Sequence, residues 1–170
     1  LALFSGNGTA NTAMGYSAMR LNVSGSGNVA IGPGVLLNNT TGNENVGIGV
    51  RALRYNSTGN YNTAVGWAAL ENMAYTTSSG DYNTASGTYS LSENTLGGLN
   101  SAFGAYAMQS NKTGEKNTAM GNEALLLNNG GNSISGFGYR ALYSNVSGHS
   151  NVGIGTNALN FNTVKSNLVA

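Results

Sequence analysis

Two glycines and a few polar side chains mark where this chain could do chemistry. Gly47-Ile48-Gly49-Val50-Arg51-Ala52, within GNENVGIGVRAL, matches the G-x-G-x-x-G/A spelling of a dinucleotide-binding turn. Such a turn works only where a strand leads into it, a helix opens after it and an acidic residue stands about twenty residues on to meet a ribose. His149 is the only histidine and Asp81 the only aspartate. The five glutamates, Glu44, Glu71, Glu93, Glu115 and Glu123, are scattered and form no obvious acid–base pair. The absence of Cys removes thiolate metal sites, disulfides and Cys nucleophiles together. These residues assign no catalytic, metal-binding or cofactor-binding role, and a non-enzymatic protein is expected.

Charge is equally sparing. Charged residues make up 8% of the chain and the net charge is +1, which gives neither a track for nucleic acid nor a basic face for an anionic membrane. No run approaches the roughly 18 to 20 apolar residues of a spanning helix, and the opening LALF is too short for a signal-peptide core. Gly fills 26 of 170 positions and Asn, Ser and Thr are abundant, a composition that signals disorder unless a regular pattern overrides it.

That pattern is a 17-residue repeat, N-T-A-x-G-x-x-A-L-x-x-N-x-T-G-x-x, whose positions are called columns 1 to 17 below. Column 1 is Asn11, Asn28, Asn45, Asn62, Asn83, Asn100, Asn117 and Asn151, with a degenerate unit opening at Ile134. The one longer step, Asn62 to Asn83, carries four extra residues within positions 74–82. Nine units are therefore in register over a single domain, 1–170. Column 8 is mostly Ala, column 9 is always Leu or Met, and column 12 is Asn in every unit except at Met73.

Units of this length are too short for the common helical repeats, so each is expected to be one coil of a parallel β-solenoid. Columns 1–5, as in Asn28-Val29-Ala30-Ile31-Gly32, read as one short strand, and the Ala-Leu stretch as a second one before an Asn-x-Thr-Gly corner. Stacked about 4.8 Å apart, nine coils form a rod of roughly 40 Å in which columns 8 and 9 become buried ladders. The Asn columns are expected at corners, where αL backbone is tolerated and where side-chain amides from successive coils hydrogen-bond up the stack. Column 4 (Met14, Ile31, Ile48, Val65, Ser86, Phe103, Met120, Phe137, Ile154) is a second apolar ladder. It either shares the intramolecular core or faces another chain.

Binding candidates come from the variable columns. Tyr61 and Tyr82 share column 17, with Trp67 nearby; stacked aromatics could hold sugar rings, or simply pack beside the insertion or at an interface. An ice-binding face needs regular Thr ranks, whereas column 2 mixes Thr12, Val29, Val46, Thr63 and Ser101. Asn22, Asn39, Asn56, Asn111 and Asn145 open Asn-x-Ser/Thr triplets at one corner, and Asn7 and Asn38 open others, so a glycosylating host could decorate that edge.

Asn28-Val29-Ala30-Ile31-Gly32 and Asn151-Val152-Gly153-Ile154-Gly155 resemble the head repeats of trimeric autotransporter adhesins. The full unit, as in GNYNTAVGWAALENM, resembles repeats of phage and giant-virus tail-fibre proteins. The resemblance implies a left-handed β-roll assembled as a parallel homotrimer, although 17 residues per coil exceeds the adhesin repeat. It implies a structural fibre or adhesin at the virion surface or outside a cell, a piece of a longer fibre serving as spacer and attachment surface. The alternatives are an extracellular filament subunit stacking head to tail and a carbohydrate- or ice-binding solenoid face. Partners are other copies of the chain and cell-surface glycans, with no cofactor, nucleic acid or membrane insertion.

Overall fold

The structure, a computed structural model, describes residues 6–72 and 80–170. Nine three-residue strands follow one another: β1 Thr12–Met14, β2 Val29–Ile31, β3 Val46–Ile48, β4 Thr63–Val65, β5 Thr84–Ser86, β6 Ser101–Phe103, β7 Thr118–Met120, β8 Ser135–Phe137 and β9 Val152–Ile154. They make one sheet in chain order, each pair parallel and in the register of the repeat, beginning with Thr12↔Val29, Ala13↔Ala30 and Met14↔Ile31. Between one strand and the next the chain goes once round through turns, so each unit is one coil of a β-solenoid. Register survives the longer step, with Ala64 opposite Ala85 and the Leu70 N–H donating to Ser90 O at 3.0 Å, as the Leu53 N–H does to Ala69 O. The bulge expected from the four extra residues, together with Met73, falls mainly on 73–79, outside the described residues.

Alternation within each strand defines inside and outside. Column 3, Ala or Gly, points in and is fully buried in β2 to β7, while columns 2 and 4 point outward. Columns 8 and 9 complete the core: Leu36, Leu53, Leu70, Leu91, Leu125 and Leu142 are wholly buried, packed with the alanines of column 8. Each buried Leu contributes on the order of 1.5–3 kcal/mol.

The expected second strand does not form. The Ala-Leu stretch is a pair of turns, closed by the Ala18 N–H on Gly15 O at 3.4 Å and the Asn22 N–H on Met19 O at 3.2 Å. Columns 7 and 9 take positive φ, as at Arg51 (61°) and Leu53 (53°). For L-residues this costs roughly 1–2 kcal/mol each, yet it recurs coil after coil. It lets the chain reverse tightly while the Leu side chain stays inside. The αL backbone tolerated at asparagine corners is not used there: it falls on columns 7, 9 and 17, where Asn157 and Asn167 are the only asparagines with positive φ among the described residues. Column 5 is glycine for a stricter reason: φ lies between 118° and 143°, and a Cβ on Gly66 would stand 2.7 Å from Gly87 O.

Hydrogen bonds between coils continue through the turns. The Met19 N–H reaches Val35 O at 3.0 Å, and the Gly34 N–H reaches Tyr16 O at 2.9 Å. The stack is thus held all round its circumference, and the three-residue strands are only its flattest part.

Candidate functional site

The glycine-rich turn dissolves into the stack. β3 does lead into it, but Gly47 lies on the buried side of that strand and the chain then enters turns, with no helix whose N-terminus could meet a phosphate. Gly47 is also less interchangeable than a packed column of small residues implies. A Cβ there would come within 2.4 Å of Val35 Cγ1, because Val35 occupies a column 8 position that is Ala in most coils.

His149 and Asp81 share column 16, where side chains serve as acceptors between coils. The Ser26 N–H donates to Asn43 Oδ1 (2.9 Å), Asn43 N–H to Asn60 Oδ1 (3.0 Å) and Asn60 N–H to Asp81 Oδ1 (2.7 Å). Further along, Asn132 N–H donates to His149 Nδ1 (3.0 Å) and His149 N–H to Ser166 Oγ (2.9 Å). Ser, Asn, Asp and His share an acceptor atom two or three bonds from Cα, and they fill this column except at Gly98 and Glu115. Their common role is to receive the backbone N–H of the preceding coil.

Among the glutamates, Glu123 accepts from Arg140 Nε at 2.6 Å, which raises the pKa of that guanidinium, and Glu71 lies 3.8 Å from Arg51. No three acidic or histidine side chains gather among the described residues.

The asparagines of columns 1 and 12 are internal braces. In the second unit, Asn28 Nδ2 and Asn39 Nδ2 both donate to Gly42 O, at 2.8 and 3.0 Å. The same convergence recurs on Gly59 O from Asn45 and Asn56, and on Gly114 O from Asn100 and Asn111. Between coils, Asn28 Oδ1 receives the Asn45 backbone N–H at 2.9 Å, and Asn22 Oδ1 receives Asn39 Nδ2 at 2.7 Å. The expected amide ladder therefore exists, but inside the coil. The five column 12 sequon asparagines are almost completely buried with their amide nitrogens engaged, leaving no room for a glycan in the folded chain; Asn7 is exposed. Ile134 breaks the column 1 series, and Asn151 Nδ2 turns instead to Asn145 Oδ1 at 3.1 Å.

With the interior filled, whatever this chain recognises must use its outer columns. Column 4 does not share the core. It is an outward apolar ladder along the sheet, exposed from 36% at Ile31 to 69% at Met14 and continued by Ile48, Val65, Phe103, Met120 and Ile154. On another edge Tyr61 and Tyr82 stack with centroids 4.8 Å apart and planes 8° from parallel, both about half exposed. Trp67 is not part of that pair; it meets Tyr89 edge-on, and Tyr89 stacks on Tyr106. Column spacing had not singled out a third feature, a cleft lined by Arg20, Arg51 and Arg54. The signal was present as arginines in columns 7 and 10 of the first and third units, flanking Pro33-Gly34.

Comparison with known proteins supplies no relative from which to transfer a role: no family model matches the chain, and neither does any curated protein or solved structure.

Proposed function

We propose that this chain is a structural, non-enzymatic fibre module of a virion or cell surface, assembled as a parallel homotrimer of left-handed coils that acts as spacer and attachment surface. The observation that carries the reading is the column 4 ladder. An apolar row along the sheet, interrupted at Ser86, beside a core already filled by columns 3, 8 and 9, is a surface of the kind that marks protein contacts. Charge is scarce enough that parallel copies meet little repulsion.

Sedimentation over a range of concentrations tests this. A discrete trimer is expected for the native chain, and a folded monomer for the Ile48→Asp/Val65→Asp variant, because both side chains point outward and their loss leaves the core intact. A native chain that is monomeric at every concentration overturns the trimer. Species that grow without limit favour the head-to-tail filament.

A further inference from the structure

On the described surface, three arginines, apolar side chains and a concavity coincide in the first three coils. A cleft of about 330 Å³ spans the first three coils, with Pro33, Leu37 and Val50 as apolar lining and Arg20, Arg51 and Arg54 around them. Its origin is readable in the columns. In the second coil column 7 is Gly34, with no side chain, and a Cβ there would meet nothing within 4 Å. The coils on either side, about 9.6 Å apart, carry Arg20 in the first and Arg51 and Arg54 in the third. Three of the chain's seven basic residues thus face one dip. Among the described residues neither Arg20 nor Arg54 has a carboxylate within ion-pair distance, and Arg51 has only Glu71 at 3.8 Å. Arg54 Nε is the one buried side-chain donor left without an acceptor among those residues. Tyr16, also in the lining, is 75% exposed and offers an aromatic face.

We propose that this cleft binds an acidic sugar, with its carboxylate or sulfate on the arginines and its ring against the apolar lining and Tyr16. Guanidinium groups pair with such anions through two parallel hydrogen bonds, and the volume matches one or two sugar rings. A bare inorganic anion would leave the apolar lining unused. A nucleic acid strand would need a longer basic track than three arginines supply. The inference gives the attachment role proposed above a ligand class and rests on that reading only for its setting. The cleft is complete within one chain, so binding is measured separately from assembly.

The test is calorimetric titration of the full chain at low salt with an unsulfated uronic-acid tetrasaccharide, a sulfated one and neutral chitotetraose. Binding of at least one acidic sugar, about tenfold or more tighter than the neutral one, is expected; which acidic sugar binds separates carboxylate from sulfate. Gly34→Tyr fills the cleft using a residue that the same column already holds with positive φ at Tyr89 and Tyr106. It should abolish binding in a chain that stays folded, its thermal midpoint lowered by no more than the strain that positive φ puts on an L-residue. Arg20→Gln with Arg54→Gln should do the same without touching the core, and covers the case in which Gly34→Tyr fails to fold. Lys112→Gln with Lys116→Gln should leave binding intact. The proposal is overturned by absence of acidic-sugar binding, by binding that survives both cleft variants, by equal loss in the lysine variant, by equal affinity for inorganic sulfate, or by equal affinity for a tetraglutamate peptide.

Discussion

Val35 and Gly47 make a matched pair, and their coupling measures whether the core is a set of interlocking columns or a tolerant apolar filling. Gly47→Ala places a methyl 2.4 Å from Val35 Cγ1, with Ala52 O at 3.6 Å on another side, in a wholly buried site. Overpacking of this kind costs about 1–3 kcal/mol. Val35→Ala removes two methyl groups from a side chain with no exposure, for a loss of about 1.5–3 kcal/mol once the residual cavity is included. The double variant restores the Ala/Ala combination already present at Ala18 with Ala30 and at Ala52 with Ala64, all essentially buried. Its added methyl occupies part of the space that the valine leaves, and replacing glycine restrains the unfolded chain. It should therefore lie within about 1 kcal/mol of the native chain, a coupling within the range of roughly 0.5–3 kcal/mol found for touching residues. Urea denaturation at fixed protein concentration, with all four proteins fitted to a common slope, reads the cycle. If the double variant is as unstable as the sum of the singles, the interlocking account is wrong.

Three further outcomes follow from the same geometry. Asn45→Ala removes the acceptor of the Asn62 backbone N–H (3.0 Å) and the donor to Gly59 O (2.8 Å) at a fully buried position; a loss of about 2–4 kcal/mol is expected in urea denaturation, and a loss under 1 kcal/mol would remove the bracing role. Ser133→Gly relieves a positive φ of 57° at an exposed side chain, in a column where Gly27 already stands at φ 69°. The relief exceeds the extra freedom of the unfolded chain, so thermal melting should show a gain of roughly 0.5–1 kcal/mol. For chain made in a glycosylating host, peptide mapping of the folded fraction should find Asn22, Asn39, Asn56, Asn111 and Asn145 bare, and glycan on any of them in folded protein contradicts their burial.

The parallel stack and its register were legible because a 17-residue period leaves little choice: Ala30, Ala64 and Ala102 recur at one position, and only stacking buries them together. The turn geometry was not legible. Ala-Leu reads as strand because propensity scores residue types, while Leu53 and Leu70 hold αL backbone only because the coil closes around them. The asparagines were placed at corners by turn statistics, yet Asn45 and Asn56 face inward, since a buried glycine carbonyl needs donors and backbone supplies none there. The role of His149 was hidden for a similar reason, as nothing in a lone histidine announces that its Nδ1 must receive an N–H from the coil before. The arginine cleft needed two facts at once, the columns of three side chains and the vacancy left by Gly34.

These facts divide the repeat into columns that build and columns that are free to vary. Columns 1, 3, 5, 8, 9, 12 and 15 carry the braces, the core and the close backbone approaches, and they admit few residue types because each is met from the next coil at contact distance. Columns 6, 7, 10 and 17 face outward and hold Tyr16, Gly34, Arg20, Trp67, Tyr82 and Arg140 with no shared chemistry. Since the stack repeats about every 4.8 Å, a side chain changed in one outer column meets its counterparts on adjacent coils at a spacing fixed by the backbone. Surface chemistry can thus be assembled coil by coil without disturbing the rod. The stacked pair Tyr61 and Tyr82 and the ion pair Glu123 and Arg140 are two results of that freedom, and the arginine cleft is a third. On this fold recognition should therefore follow the outer columns, and exchanging Gly34 should abolish binding while the rod set by the inner columns stays folded, losing no more than the roughly 1–2 kcal/mol that positive φ costs an L-residue.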